Sequence, residues 1–325
     1  MLRVAFAGTF AASLEPQVRA RLGAGYDIVT DDETGIVARM ADIDMLVSLA
    51  FTRDMGVAAR RLKLVQVPGA GLDRIDRSAL PAATWLANAY GHDVGIAEYV
   101  MGAMLAMSRS FARLDARMRE GVWESQWAAA TPPPPTWPEL AGKTLCILGY
   151  GHIGQALARR ARAFDMDVHA LRRDPTHGAD ASLKSLSGPE ALPDLLRRAD
   201  YLAVTLSLNP TTRGLLGARE LGLMKPSAIL INVARAEIID EEALYRALVD
   251  GRIGGAALDV WYRYPTSPGP TFPSRQPFHT LPNVLMTPHV SGWTEGMLEA
   301  RARIIAENIQ RVARGEPPTN LITSP

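Results

Sequence analysis

The sequence predicts an α/β protein with two parallel-sheet domains, on three observations. The chain has 325 residues, a length that favours two domains of roughly 100 to 200 residues each. Short apolar runs alternate with amphipathic stretches along nearly all of it, the βαβ pattern of a parallel sheet covered by helices. Near the middle a glycine-rich turn at 149–154 follows one apolar run and opens a helical pattern.

The first series has strands at 3–7, 26–30, 45–48, 64–67 and 85–88, with helices over 15–22 and 52–62. Gly8 and Thr9 interrupt the first apolar run, which favours a strand ending in a glycine turn over a signal peptide. Over 96–120 the apolar residues Ile96, Val100, Ala103, Met104, Met107 and Phe111 recur at helical spacing. Arg109, Arg113, Arg117 and Arg119 supply a charged side, so one long amphipathic helix is expected. Residues 121–138 break the pattern: Trp123, Trp127 and Trp137 surround four consecutive prolines at 132–135, which do not fit a helix interior. This stretch is either a rigid spacer or an arm that packs on a second subunit. The second series places strands at 144–148, 167–171, 201–206, 228–233, 255–259 and 284–286. A closing helix at 295–314 and a polar tail expected to be mobile complete the chain.

Charge and composition exclude several classes. Lys plus Arg is 35 and Asp plus Glu is 34, giving a net +1, without the basic excess that nucleic-acid binding requires. The most apolar helical stretch, 99–107, is nine residues, about half of the ~20 needed to cross a bilayer, so no membrane partner is expected. A single cysteine, Cys146, forms neither an intrachain disulfide nor a thiolate cage. It fits a reducing, cytoplasmic setting, and no metal site is expected.

The strongest local signal is the buried-strand run 144–148 followed by Gly149-Tyr150-Gly151-His152-Ile153-Gly154 and a helix over 155–164. Gly149 permits the tight turn, Gly151 lets the backbone approach a pyrophosphate, and Gly154 allows close helix–strand packing. The helix N-terminus then stabilises phosphate charge through its free N–H groups. NAD sites place an acid about 20 residues further on. Here that place, at the end of 167–171, holds Arg172 and Arg173. Two guanidiniums suit the 2′-phosphate of NADP. The alternative is a solvated Arg172 with Asp174 taking the ribose of NAD.

Together with Val67-Pro68-Gly69-Ala70-Gly71-Leu72-Asp73-Arg74-Ile75-Asp76, Ile96-Ala97-Glu98-Tyr99, Met224-Lys225-Pro226, Ile231-Asn232-Val233-Ala234-Arg235, Gly255-Ala256-Ala257-Leu258-Asp259-Val260 and Thr287-Pro288-His289, this fingerprint resembles the D-isomer-specific 2-hydroxyacid dehydrogenases over nearly the whole chain. The resemblance implies two Rossmann-like doubly wound domains. A flavodoxin-like substrate domain is built from 1–95 and 290–325, and a central NAD(P)-binding domain from 96–289. Substrate and nicotinamide are expected to meet between them, in a homodimer. The glycine fingerprint, His152 and Ile153 included, would hold the dinucleotide with Arg172, Arg173, Ser207, Thr212, Val233, Ala234, Arg235, Asp259, His289 and Gly292.

By the same resemblance, Arg235 clamps the carboxylate and carbonyl of a small 2-oxo or 2-hydroxy acid, and the Ala70 and Gly71 N–H groups take the carboxylate. His289 is the general acid or base. The family usually sets a glutamate behind this histidine, immediately before a proline. Here that place is Tyr264, followed by Pro265. Neutral tyrosine orients an imidazole without raising its pKa as an anion does, so His289 is expected to titrate lower than in glutamate-bearing relatives. Trp261, Tyr262, Tyr264, Phe278 and Trp293 either line a larger apolar pocket or simply pack. Glu237, Asp240 and Glu295 are candidate substitutes for the missing carboxylate. The leading reading is an NADP-preferring reductase like the glyoxylate/hydroxypyruvate reductases. The lost glutamate leaves open a nucleotide-sensing binding protein or oxidation of a small oxyanion such as formate.

Overall fold

The structure, a computed structural model, describes residues 1–129, 134–176 and 181–322. Chain contacts divide it into Met1–His92 with Trp293–Pro325, and Asp93–Gly292.

The first unit is a five-stranded parallel sheet in the order β2-β1-β3-β4-β5, formed by β1 (Leu2–Ala7), β2 (Tyr26–Asp31), β3 (Met45–Ser48), β4 (Leu64–Gln66) and β5 (Trp85–Ala87). Successive residues of β1 face opposite sides, so both faces carry a core. Val4 and Phe6 pack with Leu14 and Val18 of α1 (Thr9–Leu22) and with Ala302, Ile305 and Ile309 of the C-terminal helix Glu295–Ala313. Ala5 and Ala7 pack with Ile36, Met40 and with Met55 of α2 (Arg53–Ala58). Helix α1 starts six residues before its expected start at 15, with Pro16 inside it. A proline beside a charged stretch reads as a helix start, but burial of Ala11 and Leu14 on the core stripe outweighs the lost N–H.

The expected mobile tail is tied down as far as it is described. Asn308, fully buried, accepts from the N–H and Oγ1 of Thr319 at 2.7 and 2.8 Å and donates to Gln66 Oε1 at 2.7 Å. Ile322 N–H then donates to Leu86 O at 2.8 Å.

The second unit opens with α3 (Asp93–Ser108) and α4 (Phe111–Arg119). The single long helix expected over 96–120 is therefore two, because Ser110 adopts φ 51° between them. Helix α3 buries Ile96, Val100 and Met104, whereas α4 buries nothing. The strands are β6 (Thr144–Leu148), β7 (Asp167–Leu171), β8 (Ser185–Ser187), β9 (Tyr201–Val204), β10 (Ile229–Asn232), β11 (Gly255–Leu258) and β12 (Val284–Met286). Helices α5 (His152–Ala163), α6 (Leu192–Arg198), α7 (Ala218–Leu221) and α8 (Glu241–Val249) alternate with them, and the C-terminal helix is α9. All seven strands are parallel in the order β12-β11-β10-β9-β6-β7-β8. Strand β8 escaped the sequence reading because Ser-Leu-Ser carries neither length nor apolar bias. Strand β6 pairs with β7 on one side and β9 on the other. The order reverses there, and in such sheets ligands collect beyond the carboxyl ends at this switch point.

The unit boundaries fall three residues from those expected at 95 and 290. Helix α3 begins at Asp93, and residues 287–291 are held to the second unit by Asp259, as follows.

Candidate active site

Because every strand of the second sheet runs the same way, the residues that follow each strand share one edge. Gly149 follows β6, Arg172 follows β7, Arg235 lies three residues past β10, Asp259 follows β11 and His289 lies three past β12.

The glycine turn is built for a bulky anion. Gly149 has φ 108°, and a Cβ there would sit 2.9 Å from the Thr205 carbonyl carbon beyond β9. Thr205 Oγ1 donates to Gly149 O at 2.7 Å, fastening the turn across the switch point. A Cβ on Gly154 would meet Gly149 O at 2.5 Å, so α5 lies directly against the turn. A Cβ on Gly151 would meet nothing within 4 Å. Gly151 is the N-cap of α5, with no side-chain cap and no acid in the first turn. An uncapped helix N-terminus facing open space fits a dinucleotide pyrophosphate. His152 is exposed and Ile153 packs against the core, so Ile153 offers its backbone. Arg172 is half-buried and Arg173 exposed. Asp174 Oδ1 takes both the N–H and the hydroxyl of Thr176, which together hold its carboxyl below the usual range. Thr212 Oγ1 donates to Ser207 O at 2.8 Å and accepts from Asn209 N at 2.9 Å, so this pair shapes the loop after β9.

Arg235 is set by Asn232, the last residue of β10 and 1% exposed. Asn232 Oδ1 accepts from Ala234 N at 3.1 Å and its Nδ2 donates to Arg235 O at 3.0 Å, fixing the backbone on both sides of the turn. Val233 and Ala234 are buried. Arg235 donates to Ala234 O at 2.8 Å.

His289 is held in an uncommon conformation, φ 58°. Asp259, 0% exposed, pins the residues around it: Oδ1 accepts from Thr287 Oγ1 at 2.6 Å and Val290 N at 2.9 Å, and Oδ2 accepts from Ser291 N at 2.8 Å. Tyr99 of α3 meets the same Thr287 hydroxyl at 2.7 Å. The Asp259 side chain is thus engaged within the chain. Without exposed surface it serves the loop that carries His289, a role no sequence period reveals.

Behind His289 stands Tyr264, its hydroxyl 2.8 Å from Nδ1 and accepting from Trp261 N–H at 3.3 Å. Burial raises the Tyr264 pKa, while the Arg235 charge lowers it. None of the acids offered as substitutes takes the tyrosine's place at Nδ1. Asp240 caps α8 through Ala243 N at 2.8 Å, Glu295 opens α9 in the other unit, and the Glu237 charge raises the Tyr264 pKa. The aromatic residues separate. Trp261 and Phe278 are buried, edge to face at 6.3 Å, and Tyr262 donates to Ile239 O at 2.9 Å. Trp293, in the first unit, packs on Phe10 at 5.8 Å. Of the two alternatives for the five aromatics, packing accounts for Trp261, Tyr262 and Phe278, while Trp293 also stays 50% exposed.

In the first unit, Asn88 escaped the sequence reading. It follows β5, is 2% exposed, and donates to Ala70 O at 3.1 Å. A trans peptide directs its C=O and N–H oppositely, so anchoring Ala70 O turns the Gly71 N–H away from the core.

A cavity of about 430 Å³ lined by Thr144, His169, Asp194, Arg197 and Arg198 lies beside the first residue of β6, away from this edge. Among the described residues no group of His, Cys, Asp and Glu converges to hold a metal.

The sequence profile described as D-isomer specific 2-hydroxyacid dehydrogenase, NAD binding domain, matches residues 101–291. D-3-phosphoglycerate dehydrogenase of Methanocaldococcus jannaschii is 35% identical over 296 residues. These are 89% of this chain but 53% of that protein, so the chain spans about half of that relative. Glyoxylate reductase of Thermococcus gammatolerans is 33% identical over 88% of this chain and 85% of its own. Among solved structures, the NADPH-dependent glyoxylate/hydroxypyruvate reductase of Sinorhizobium meliloti, in complex with NADP and malonate, superposes with a TM-score of 0.81. It is 26% identical, covering 99% of this chain and 97% of that one.

Proposed function

The chain belongs to the D-isomer-specific 2-hydroxyacid dehydrogenases, NAD(P)-dependent oxidoreductases, and on that premise we propose that it is an NADP-preferring reductase of a small 2-oxo acid of the glyoxylate or hydroxypyruvate class. The observation that carries the reading is the Tyr264–His289 pair together with Arg235 beyond β10, on the sheet edge that also presents the uncapped glycine turn. When bound, the reduced nicotinamide supplies hydride to the carbonyl carbon. The chain's own residues do the rest. The Arg235 guanidinium is assigned the carboxylate and carbonyl oxygens of the substrate, the Ala70 and Gly71 N–H groups its carboxylate, and His289 the proton that the carbonyl oxygen gains. Oxidation of NADPH and of NADH against a panel of 2-oxo acids tests this. Turnover of glyoxylate or hydroxypyruvate supports it. Tight nucleotide binding without any turnover would instead favour the sensor, and turnover of formate alone the oxyanion reading.

The NADP preference rests on Arg172 and Arg173 beyond β7, with Asp174 already engaged by Thr176. Replacing both arginines by alanine is expected to raise KM for NADPH at least about tenfold, as loss of charge-assisted phosphate contacts does, while leaving KM for NADH within about twofold. Parallel changes for both cofactors would count against it.

A homodimer is also proposed. Helix α4 buries nothing within its own chain, and Phe111, Met118, Trp123 and Trp127 are 54, 47, 57 and 83% exposed. Four large apolar side chains exposed within seventeen residues of chain favour a partner; the first two prolines of the 132–135 run lie outside the described residues. Light scattering should give twice the 35.2 kDa chain mass, and Trp127→Asp should shift the particle toward the monomer. A monomeric parent would refute the proposal. Cys146, fully buried, donates to Leu195 O at 3.3 Å, and its thiol is pushed up to about 12 by burial. An inert core thiol of this kind accords with the proposed cytoplasmic setting.

A further inference from the structure

The 2.8 Å contact between the Tyr264 hydroxyl and His289 Nδ1 couples the direction of the tyrosine O–H to the tautomer of the imidazole. A backbone N–H can only donate, so the Tyr264 oxygen accepts from Trp261 at 3.3 Å. A phenol owns one proton, and His289 Nδ1 lies 2.8 Å from the same oxygen. With Tyr264 donating, Nδ1 is the acceptor, and the single proton of the neutral imidazole resides on Nε2. A carboxylate in this place would do the reverse, since it only accepts and would hold the proton on Nδ1.

Resting on the reading of this site as a 2-oxo acid reductase, we propose that Tyr264 is a proton reservoir acting through His289. The neutral imidazole gives its Nε2 proton to the substrate oxygen and is refilled at Nδ1 from the tyrosine hydroxyl, so reduction does not require the imidazolium. The atoms balance. The carbonyl carbon gains hydride and its two electrons from the reduced nicotinamide. The oxygen gains the Nε2 proton, and the Tyr264 O–H bond breaks as Nδ1–H forms. What remains is a neutral imidazole with its proton on Nδ1 and a phenolate, which solvent reprotonates at the 49% exposed Tyr264. An aliphatic alkoxide is a stronger base than phenolate, so the transfer runs downhill.

The charged groups that bear on Tyr264 are Arg235, Glu237 and Asp259. Arg235 and the Trp261 N–H favour the phenolate, while burial and the two carboxylates oppose it, and burial is the largest influence. The resting hydroxyl therefore keeps its proton and the reservoir stays full. Tyr264 touches no reacting atom in this scheme. It positions the imidazole and resupplies it.

Two measurements test the proposal. Nitrogen-15 NMR of histidine-labelled protein near pH 8 should show His289 protonated on Nε2 in the parent and on Nδ1 in Tyr264→Glu. Protonation of Nδ1 in the parent would overturn the proposal, and this spectrum decides even if no 2-oxo acid is turned over, the result that would sink the reductase reading itself. For the parent, kcat/KM for reduction should stay level from about pH 6 to 9. Tyr264→Phe, which keeps the ring and loses the proton, should fall about tenfold per pH unit above the histidine pKa. The same decline in parent and variant would also overturn it.

Discussion

Arg235→Gln should lower kcat/KM for reduction of a 2-oxo acid by about 10³, toward the upper end of what one pre-aimed donor contributes. The residue is proposed to meet two oxygens of one planar ligand, and only a guanidinium offers two parallel N–H donors. Arg235→Lys keeps the charge but loses the fork, so it should recover about tenfold at most. Asn232 holds the backbone on both sides of the turn, which leaves the substitution little room to disturb the fold. Cofactor affinity, read from nicotinamide fluorescence, should change by less than about twofold in Arg235→Gln. A kcat/KM within tenfold of the parent would remove Arg235 from the substrate site.

His289→Asn should lower kcat by about 10² to 10⁴, the range of a lost general acid. Asparagine is the informative replacement. Position 289 has φ 58°, a region that asparagine tolerates and β-branched residues do not, so the loop pinned by Asp259 should survive. An unchanged melting temperature with kcat reduced as stated is the expected pair of results. Full activity in His289→Asn would show that the product oxygen obtains its proton elsewhere.

The architecture was legible because parallel strands obey a simple geometry. Buried runs such as 144–148 and 229–232 announce themselves, and whatever follows them arrives at one edge. Arg235 and the glycine turn could thus be placed on one edge before any coordinates, and the family resemblance added His289. What sequence did not reveal lies in hydrogen bonds from side chain to backbone over long separations. Asp259 reaches Val290 and Ser291, Asn88 reaches Ala70, and Asn308 reaches Thr319. Such bonds have no period and cost only one polar residue in an apolar neighbourhood. The break at Ser110 is of the same kind, since serine in a left-handed turn is indistinguishable in pattern from serine within a helix. The two alternatives for the aromatic cluster stayed open for another reason. Proximity in sequence to His289 or Tyr264 does not say which side of the backbone each ring takes.

Helix α9 fills the same core as β1 and α1, yet it is made only after the whole second unit. At biosynthetic speeds of about 5 to 20 residues per second, the 200 residues of Asp93–Gly292 set the two segments of this unit apart by roughly 10 to 40 s. During that interval Val4, Phe6 and Leu14 have left the ribosome without Ile305 and Ile309 to cover them. Until Glu295–Ala313 emerges, this apolar face of the N-terminal sheet lacks the helix that covers it in the folded chain.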